Sequence, residues 1–220
     1  MGGGRIPGVL GTEPPRPDEA KSGGQLPQDL GFSPPGPLGL HSGSGTALAV
    51  TRIVKDVTND WVPPSPTTTP EIVVRGRTLA EVGNELNRLP EWGQGGGTLR
   101  ADPAPAGTSP EVTVSLHANL VLRMPRWTRY AEASAAARAE WDQMIAKLRV
   151  HEERHVAIAI EEANSLASAL IGVEISEIAG MVTDANQTMQ ARQDELDRDT
   201  ENGSRPGVPY GDVSLDTSIE

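Results

Sequence analysis

The sequence contains no cysteine. Disulfide bonds, thiolate metal ligands and a cysteine nucleophile are therefore excluded, and cysteine usage gives no indication of a redox compartment. Aromatic residues are also scarce, with four Trp, two Tyr and one Phe among 220 residues. The apolar share of 36% is lower than that of an ordinary globular domain. This composition predicts that only part of the chain builds a hydrophobic core.

Long apolar runs are missing as well. No stretch approaches the roughly 18 apolar residues that a membrane-spanning helix requires. The N-terminal residues contain no continuous apolar segment before Pro14 and Pro15 interrupt them, so no secretory signal peptide is visible. These absences predict a soluble protein without a membrane partner, which is either cytoplasmic or exported by a non-classical route.

Basic residues are in the minority. The chain has 19 Lys and Arg against 30 Asp and Glu, which gives a formal net charge of −11. The excess lies late in the sequence, because thirteen acidic residues face three arginines from Glu161 onward. Such a surface repels phosphate groups. The charge balance therefore argues against nucleic acid and against anionic membranes as partners.

Glycine and proline are abundant, with 24 Gly and 19 Pro, and they are concentrated before residue 71. Residues 1 to about 45 are interrupted too often for a regular element to form, and 63–70 is typical of a stiff polyproline linker. A short β-prone piece lies between these two segments. We predict a disordered arm and linker over 1–70, which serves either as a tether or as a binding segment for a protein partner.

After the arm, local patterns predict a short helix and a strand. Thr78 is a favourable N-cap for a helix over 79–89, and Glu81 completes a capping box. The glycine-rich stretch 93–97 is expected to be a loop. Residues 111–122 alternate between apolar and polar side chains, as in a strand with one buried face.

Two long helices are expected next. Residues 133 to about 170 are rich in Ala, Glu, Arg and Leu and contain no Gly or Pro, and Gly172 separates them from a second helix over about 174–199. Short strands followed by long helices are typical of the α+β class. We therefore predict a domain over 71–203, in which a small antiparallel sheet packs on long helices, and a flexible C-terminal tail over 204–220.

The first long helix carries the segment His151-Glu152-Glu153-Arg154-His155. Residues four apart lie on the same face of a helix, so the two imidazoles can bind one ion from one side. Glu152 can reach a water on that ion without binding the ion itself. In zinc hydrolases such a glutamate accepts a proton from the metal-activated water. The segment predicts a Zn²⁺ site with His151 and His155 as ligands and Glu152 as the general base.

The alternative is a solvated helix face that contains two histidines by chance. An apolar stripe argues against it, because Trp141 and Leu148 lie on the face that continues through both histidines to Ile158. The two histidines therefore point inward, where a metal is a natural partner. No such pattern surrounds the other two histidines. His41 falls in predicted disorder, and His117 is expected to be a solvent-facing strand residue.

Four segments follow one another in a recognisable order: Val-Arg-Gly-Arg-Thr-Leu-Ala-Glu at 74–81, Leu-Arg-Met-Pro-Arg-Trp at 122–127, Trp141, and His151 to His155. Together they resemble a bacterial family known as domain of unknown function 922. Members are described as predicted zinc-dependent proteases. The resemblance covers about residues 71–210 and implies a zincin-like metalloprotease domain that acts on a peptide or protein substrate.

A catalytic zinc usually takes three protein ligands, and the helix supplies two. Members of the family commonly end the domain with Tyr-Asp-x-x-Thr-x-His-Gly, and the matching stretch here is Leu-Asp-Arg-Asp-Thr-Glu-Asn-Gly at 196–203. Asp197 is therefore the first candidate for the third ligand. Asn202 stands where the family has His and would be a weaker donor. Glu177 ranks second, and it and Glu174 lie at the spacing at which gluzincin-type proteases place a helical Glu.

These residues are compatible with two functions. The first is a zinc-dependent peptidase, in which Glu152 activates a zinc-bound water for peptide-bond hydrolysis. The second is a catalytically impaired, zincin-derived binding or structural protein that docks through its N-terminal arm. The substitution at Asn202 suggests the second function, and the chain would then be part or cargo of a secretion or phage-like injection assembly.

Overall fold

The structure, a computed structural model, describes residues 51–61, 71–104 and 109–220. Most of the arm predicted over 1–70 lies outside the described residues. Within these ranges the chain forms the following elements: β1 (Ile53–Asp60), β2 (Ile72–Val74), α1 (Leu79–Leu86), β3 (Gln94–Pro103), β4 (Glu111–Arg123), β5 (Pro125–Trp127), α2 (Ala135–Leu170) and α3 (Ile175–Thr200).

The main sheet has three strands in the order β1-β4-β3, and β2 pairs with β5 in a separate two-stranded sheet. β3 runs antiparallel to β4, whereas β1 runs parallel to it. The α+β class is confirmed. The sheet was predicted to be antiparallel, whereas the main sheet is mixed. The parallel pair arises because β1 and β4 are joined through several other elements rather than through a hairpin.

β1 lies within the segment that the sequence assigned to the arm, so the arm and linker do not extend over all of 1–70. The main chain of Val54 is held by the turn after α2, since its N–H donates to Val173 O at 2.9 Å and its carbonyl accepts from Gly172 N at 2.8 Å. Val54 is the only buried residue of the strand. The usual alternation of a half-buried strand is therefore missing, and the pattern gave a weak signal.

The glycine-rich stretch 93–97, predicted as a loop, supplies the beginning of β3. Glycine is needed here because α2 passes directly against the strand. A methyl group on Gly95 would overlap the main-chain oxygen of Glu152. Gly95 therefore permits close approach of strand and helix, a role that competes with loop formation.

The predicted helices are confirmed, with small shifts at their ends. Thr78 caps α1 by accepting a hydrogen bond from Glu81 N at 3.3 Å, while the Glu81 carboxylate accepts from Arg77 N and not from the cap residue. Ser134 caps α2 through Ala137 N at 3.1 Å. Among the described helices, none is long and apolar enough to cross a membrane.

Two hydrophobic cores are present among the described residues. The first core packs β1, β3 and β4 against the second half of α2 and against α3, and it includes Val114 and Leu116. The second core joins α1, the β2-β5 pair and the first half of α2, with Trp127 and Trp141 in contact at 5.6 Å between ring centroids. α2 thus belongs to both cores.

The C-terminal residues belong to the second core. Val213 and Leu215 are each 1% exposed, and Val213 N donates to Gly203 O at 2.8 Å. The prediction of a flexible tail over 204–220 is therefore wrong for this part. Two alternating apolar residues in a polar, glycine- and proline-containing segment gave too short a pattern to identify.

Candidate metal centre

The two histidines of α2 converge as their spacing predicts. His151 and His155 are 4% and 6% exposed, and their Nε2 atoms lie 3.2 Å apart. Both histidines lie where α2 passes from the second core to the first core. Leu148, just before them, belongs to the second core, and Ile158, just after them, belongs to the first. Packing on both sides therefore fixes the helix at this point and directs the imidazoles inward.

Asp197 completes a group of three potential metal ligands. α3 folds back along α2, and the Asp197 Oδ1 atom lies 3.1 Å from His155 Nε2 and 3.4 Å from His151 Nε2. Among the described His, Asp and Glu residues, these three form the group that can hold a metal ion. Asp197, the first candidate for the third ligand, is thus the residue that the fold brings to the histidines.

The spacing of the donor atoms fits a tetrahedral ion. Ligand atoms about 2.0–2.1 Å from a tetrahedral zinc are separated from one another by about 3.3–3.4 Å. The three separations in this site are 3.1, 3.2 and 3.4 Å. One cation could therefore contact all three atoms with little movement.

The main chain of Tyr210 holds the His151 ring. His151 Nδ1 lies 3.0 Å from the Tyr210 carbonyl oxygen, which can only accept. Nδ1 therefore carries a proton, and Nε2 faces His155 and Asp197. Tyr210 has a φ of 62°, an uncommon value for a non-glycine residue. The strained backbone serves to place this carbonyl against the imidazole.

The turn that ends α3 supports the same ring. Glu201, Asn202 and Gly203 all have positive φ, and a methyl group on Gly203 would lie 3.2 Å from the Cγ and Nδ1 atoms of His151. Thr200 donates its hydroxyl to Leu196 O at 2.7 Å and accepts from Gly203 N at 3.0 Å. The Thr and Gly of the 196–203 stretch therefore shape the backbone behind the site.

The other candidates for the third ligand have different positions. Glu174 is the N-cap residue of α3, and Glu177 lies in its first turn. Glu177 precedes Asp197 by twenty residues, or about 30 Å along a helix, so neither glutamate reaches the histidines. Asn202 is near the site, and its main-chain N–H donates to the Asp197 carbonyl.

His117 is separate from this group. His41 lies outside the described residues. His117 projects from β4 on the face away from the first core, with Asp60 and Asp102 each 3.5 Å from one of its ring nitrogens. The side chain is 31% exposed, in agreement with the expectation of a solvent-facing strand residue.

The charges of the donor group stabilise one another. Burial opposes ionisation of Asp197, but hydrogen bonds from the two imidazoles outweigh it and hold the pKa of this carboxyl below its ordinary value. Burial likewise opposes the charged form of His151, yet the hydrogen bond to Asp197 and the charge of Glu152 raise its pKa. The site is thus a strongly coupled cluster with a stable carboxylate at its centre.

Glu152 lies beside the donor group and is itself buried, at 6% exposure. Burial raises the pKa of its carboxyl to about 7. A methyl group on Gly93 would lie 2.6 Å from Glu152 Oε1. The residue just before β3 therefore lies against this carboxylate, and a side chain there would displace it.

Glu91 is a further acidic residue near the site that the sequence did not identify. Burial, followed by the charge of Asp197, raises the pKa of its carboxyl, while the charges of His155 and Arg123 lower it. Glu91 precedes the glycine-rich start of β3 and is distant from the histidines in the sequence. Its position depends on how the sheet packs on α2, so no local pattern could indicate it.

A comparison with family models gives one match. The family described as "Bacterial protein of unknown function (DUF922)" matches residues 71–203. No curated protein and no solved structure matches the chain. The matched range contains both histidines, Glu152, Asp197 and the turn that ends α3. It excludes β1 and the C-terminal residues of the second core.

Proposed function

The chain belongs to the DUF922 family of bacterial proteins, and because that family has no assigned activity, we propose a function from the site itself: a zinc-dependent peptidase. The observation that supports this proposal most directly is the convergence of His151, His155 and Asp197 on one point. Imidazole and carboxylate donors suit zinc, and three protein ligands with an open fourth position are typical of catalytic zinc sites.

The residues of the site have distinct roles in this proposal. His151, oriented by the Tyr210 carbonyl, and His155 bind the ion through Nε2, while Asp197 neutralises part of its charge. When bound, zinc would polarise the substrate carbonyl and acidify a water molecule. The proton transfers of the reaction are carried out by side chains of the protein.

Glu152 is the general base. It follows the first ligand directly on α2, and its carboxylate is confined by the residue just before β3. In the reaction it accepts a proton from the attacking water and later transfers that proton to the nitrogen of the leaving amine. The buried position excludes bulk water that would compete for this proton.

Two variants test the metal and the base separately. We expect His155→Ala to lose bound zinc, measured as metal content of the purified chain. Glu152→Gln should retain zinc and lose peptide cleavage by about 10²–10⁴-fold, the usual contribution of a general base. Glu153→Gln is the matched control, because this neighbouring glutamate is exposed and pairs with Arg149 on its own helix.

Two outcomes would contradict different parts of the proposal. Unchanged zinc content in His155→Ala would remove the proposed ligand set. Retained zinc with no cleavage of any member of a peptide library by the wild-type chain would overturn the peptidase. The binding or structural role, with an N-terminal arm that docks on a protein partner, would then be the function to test by pull-down with and without residues 1–50.

A further inference from the structure

Gln193 carries a buried hydrogen-bond donor that the fold does not use. Its Nε2 atom is inaccessible to solvent and makes no hydrogen bond within the described part of the chain. Buried side-chain donors are nearly always paired, and an unpaired one destabilises a fold. The residue as a whole is partly exposed, so rotation of its side chain can present this donor to a group that arrives from outside.

The position of Gln193 places this donor beside the proposed active site. It lies one helical turn before Asp197 on α3, and residues four apart share a helix face. A methyl group on Gly96 would lie 3.2 Å from both amide atoms of Gln193, while the neighbouring Gly95 abuts the main chain of Glu152. The start of β3 is thus bordered by Gln193 on one side and by the proposed base on the other.

Asn186 shows how a side-chain amide on this face of α3 forms hydrogen bonds with an extended backbone. It lies two turns earlier and accepts from Leu99 N at 2.9 Å while donating to Leu99 O at 3.0 Å. Asn186 therefore occupies the outer edge of β3, as a neighbouring strand would do. Gln193 presents the same chemical group further along that edge, but its donor has no backbone partner.

We propose that Gln193 Nε2 donates a hydrogen bond to a main-chain carbonyl of the bound peptide, close to the bond that is cleaved. This inference rests on the proposed peptidase function and adds a substrate-positioning residue to it. Because the contact is made to the main chain, it favours an extended peptide without selecting its side chains.

The test replaces Gln193 by Met, which has similar length and no donor. We expect kcat/KM on a random decapeptide library to fall about tenfold, the value of one hydrogen bond. Zinc content should stay the same and Tm should be unchanged or higher, because an unpaired donor has been removed. Gln190→Met is the matched control, since this exposed glutamine donates to Asp194 on its own helix.

A second measurement separates this inference from the peptidase itself. Binding of the same library is measured in the Glu152→Gln background with and without Gln193→Met, and weaker binding in the double variant supports the inference even without hydrolysis. Equal cleavage by wild type and Gln193→Met would overturn the inference and leave the peptidase intact. Absence of both cleavage and binding, or a drop in Tm that accounts for the lost activity, would also overturn it.

Discussion

Thr200 links the metal-binding end of α3 to the turn that supports His151. Its side chain is both donor and acceptor, to Leu196 O and from Gly203 N, and the residue is only 2% exposed. Removal of the hydroxyl would leave the Gly203 N–H buried without a partner. A buried group in that state costs more than the hydrogen bond itself contributed.

We therefore expect Thr200→Val to lower the free energy of unfolding by about 1–3 kcal/mol. Thr183→Val is the matched control, because Thr183 donates in the same way to Ala179 O but is exposed. The control should change stability by less than about 0.5 kcal/mol. Urea denaturation of both variants gives the comparison. Equal effects would show that the Thr200 hydroxyl has no special role in the turn.

At the scale of elements, the site depends on how closely β3 approaches α2. The glycines at the start of β3 lie against the main chain and carboxylate of Glu152. A side chain at Gly95 would force the strand away from the helix, since the overlap is with rigid backbone. The proposed base would then lose the backbone that confines it.

Gly95→Ala is expected to destabilise the protein by about 1–3 kcal/mol and to reduce peptide cleavage. Gly180→Ala is the contrasting variant, because Gly180 is exposed within α3 and a methyl group there would meet no atom within 4 Å. It should raise the free energy of unfolding by about 0.5–1 kcal/mol. Thermal unfolding and a cleavage assay measure both. Full stability and activity in Gly95→Ala would contradict the close approach.

At the scale of the whole molecule, the C-terminal residues complete the second core although they lie beyond the matched range 71–203. Val213 and Leu215 are buried, and Asp216 N donates to the Glu140 carboxylate on α2 at 2.7 Å. The end of the chain therefore helps to fix the first half of α2, the helix that carries both histidines.

Removal of residues 213–220 should lower the free energy of unfolding by about 3–6 kcal/mol, since each fully buried aliphatic side chain contributes about 1.5–3 kcal/mol. Leu215→Ala alone should cost about 2–5 kcal/mol. Ser214→Ala, at the exposed position between the two buried residues, should have almost no effect. Urea denaturation distinguishes these variants. A truncated chain with wild-type stability would show that the second core does not need its C-terminal part.

Local patterns were sufficient for the elements whose signal lies within one segment. α2, α3 and β4 were predicted because periodicity and caps are properties of neighbouring residues. For β1 the sequence indicated only a short β-prone piece, and β3 was not predicted, because β1 buries only Val54 and β3 begins with glycines. Their strand structure depends on β4 and α2, which are distant in the sequence.

The pair His151 and His155, with Glu152 beside them, could be identified from local spacing alone, because the geometry of one helix places residues four apart on one face. Local spacing left Asp197, Glu174 and Glu177 as alternatives, and it is the packing of the helices that brings Asp197 to the two imidazoles. That choice depends on how α3 folds back along α2, with its register set by packing in the first core. The same packing placed Glu91 and Gln193 at the site, since contacts between distant segments leave no trace in local spacing.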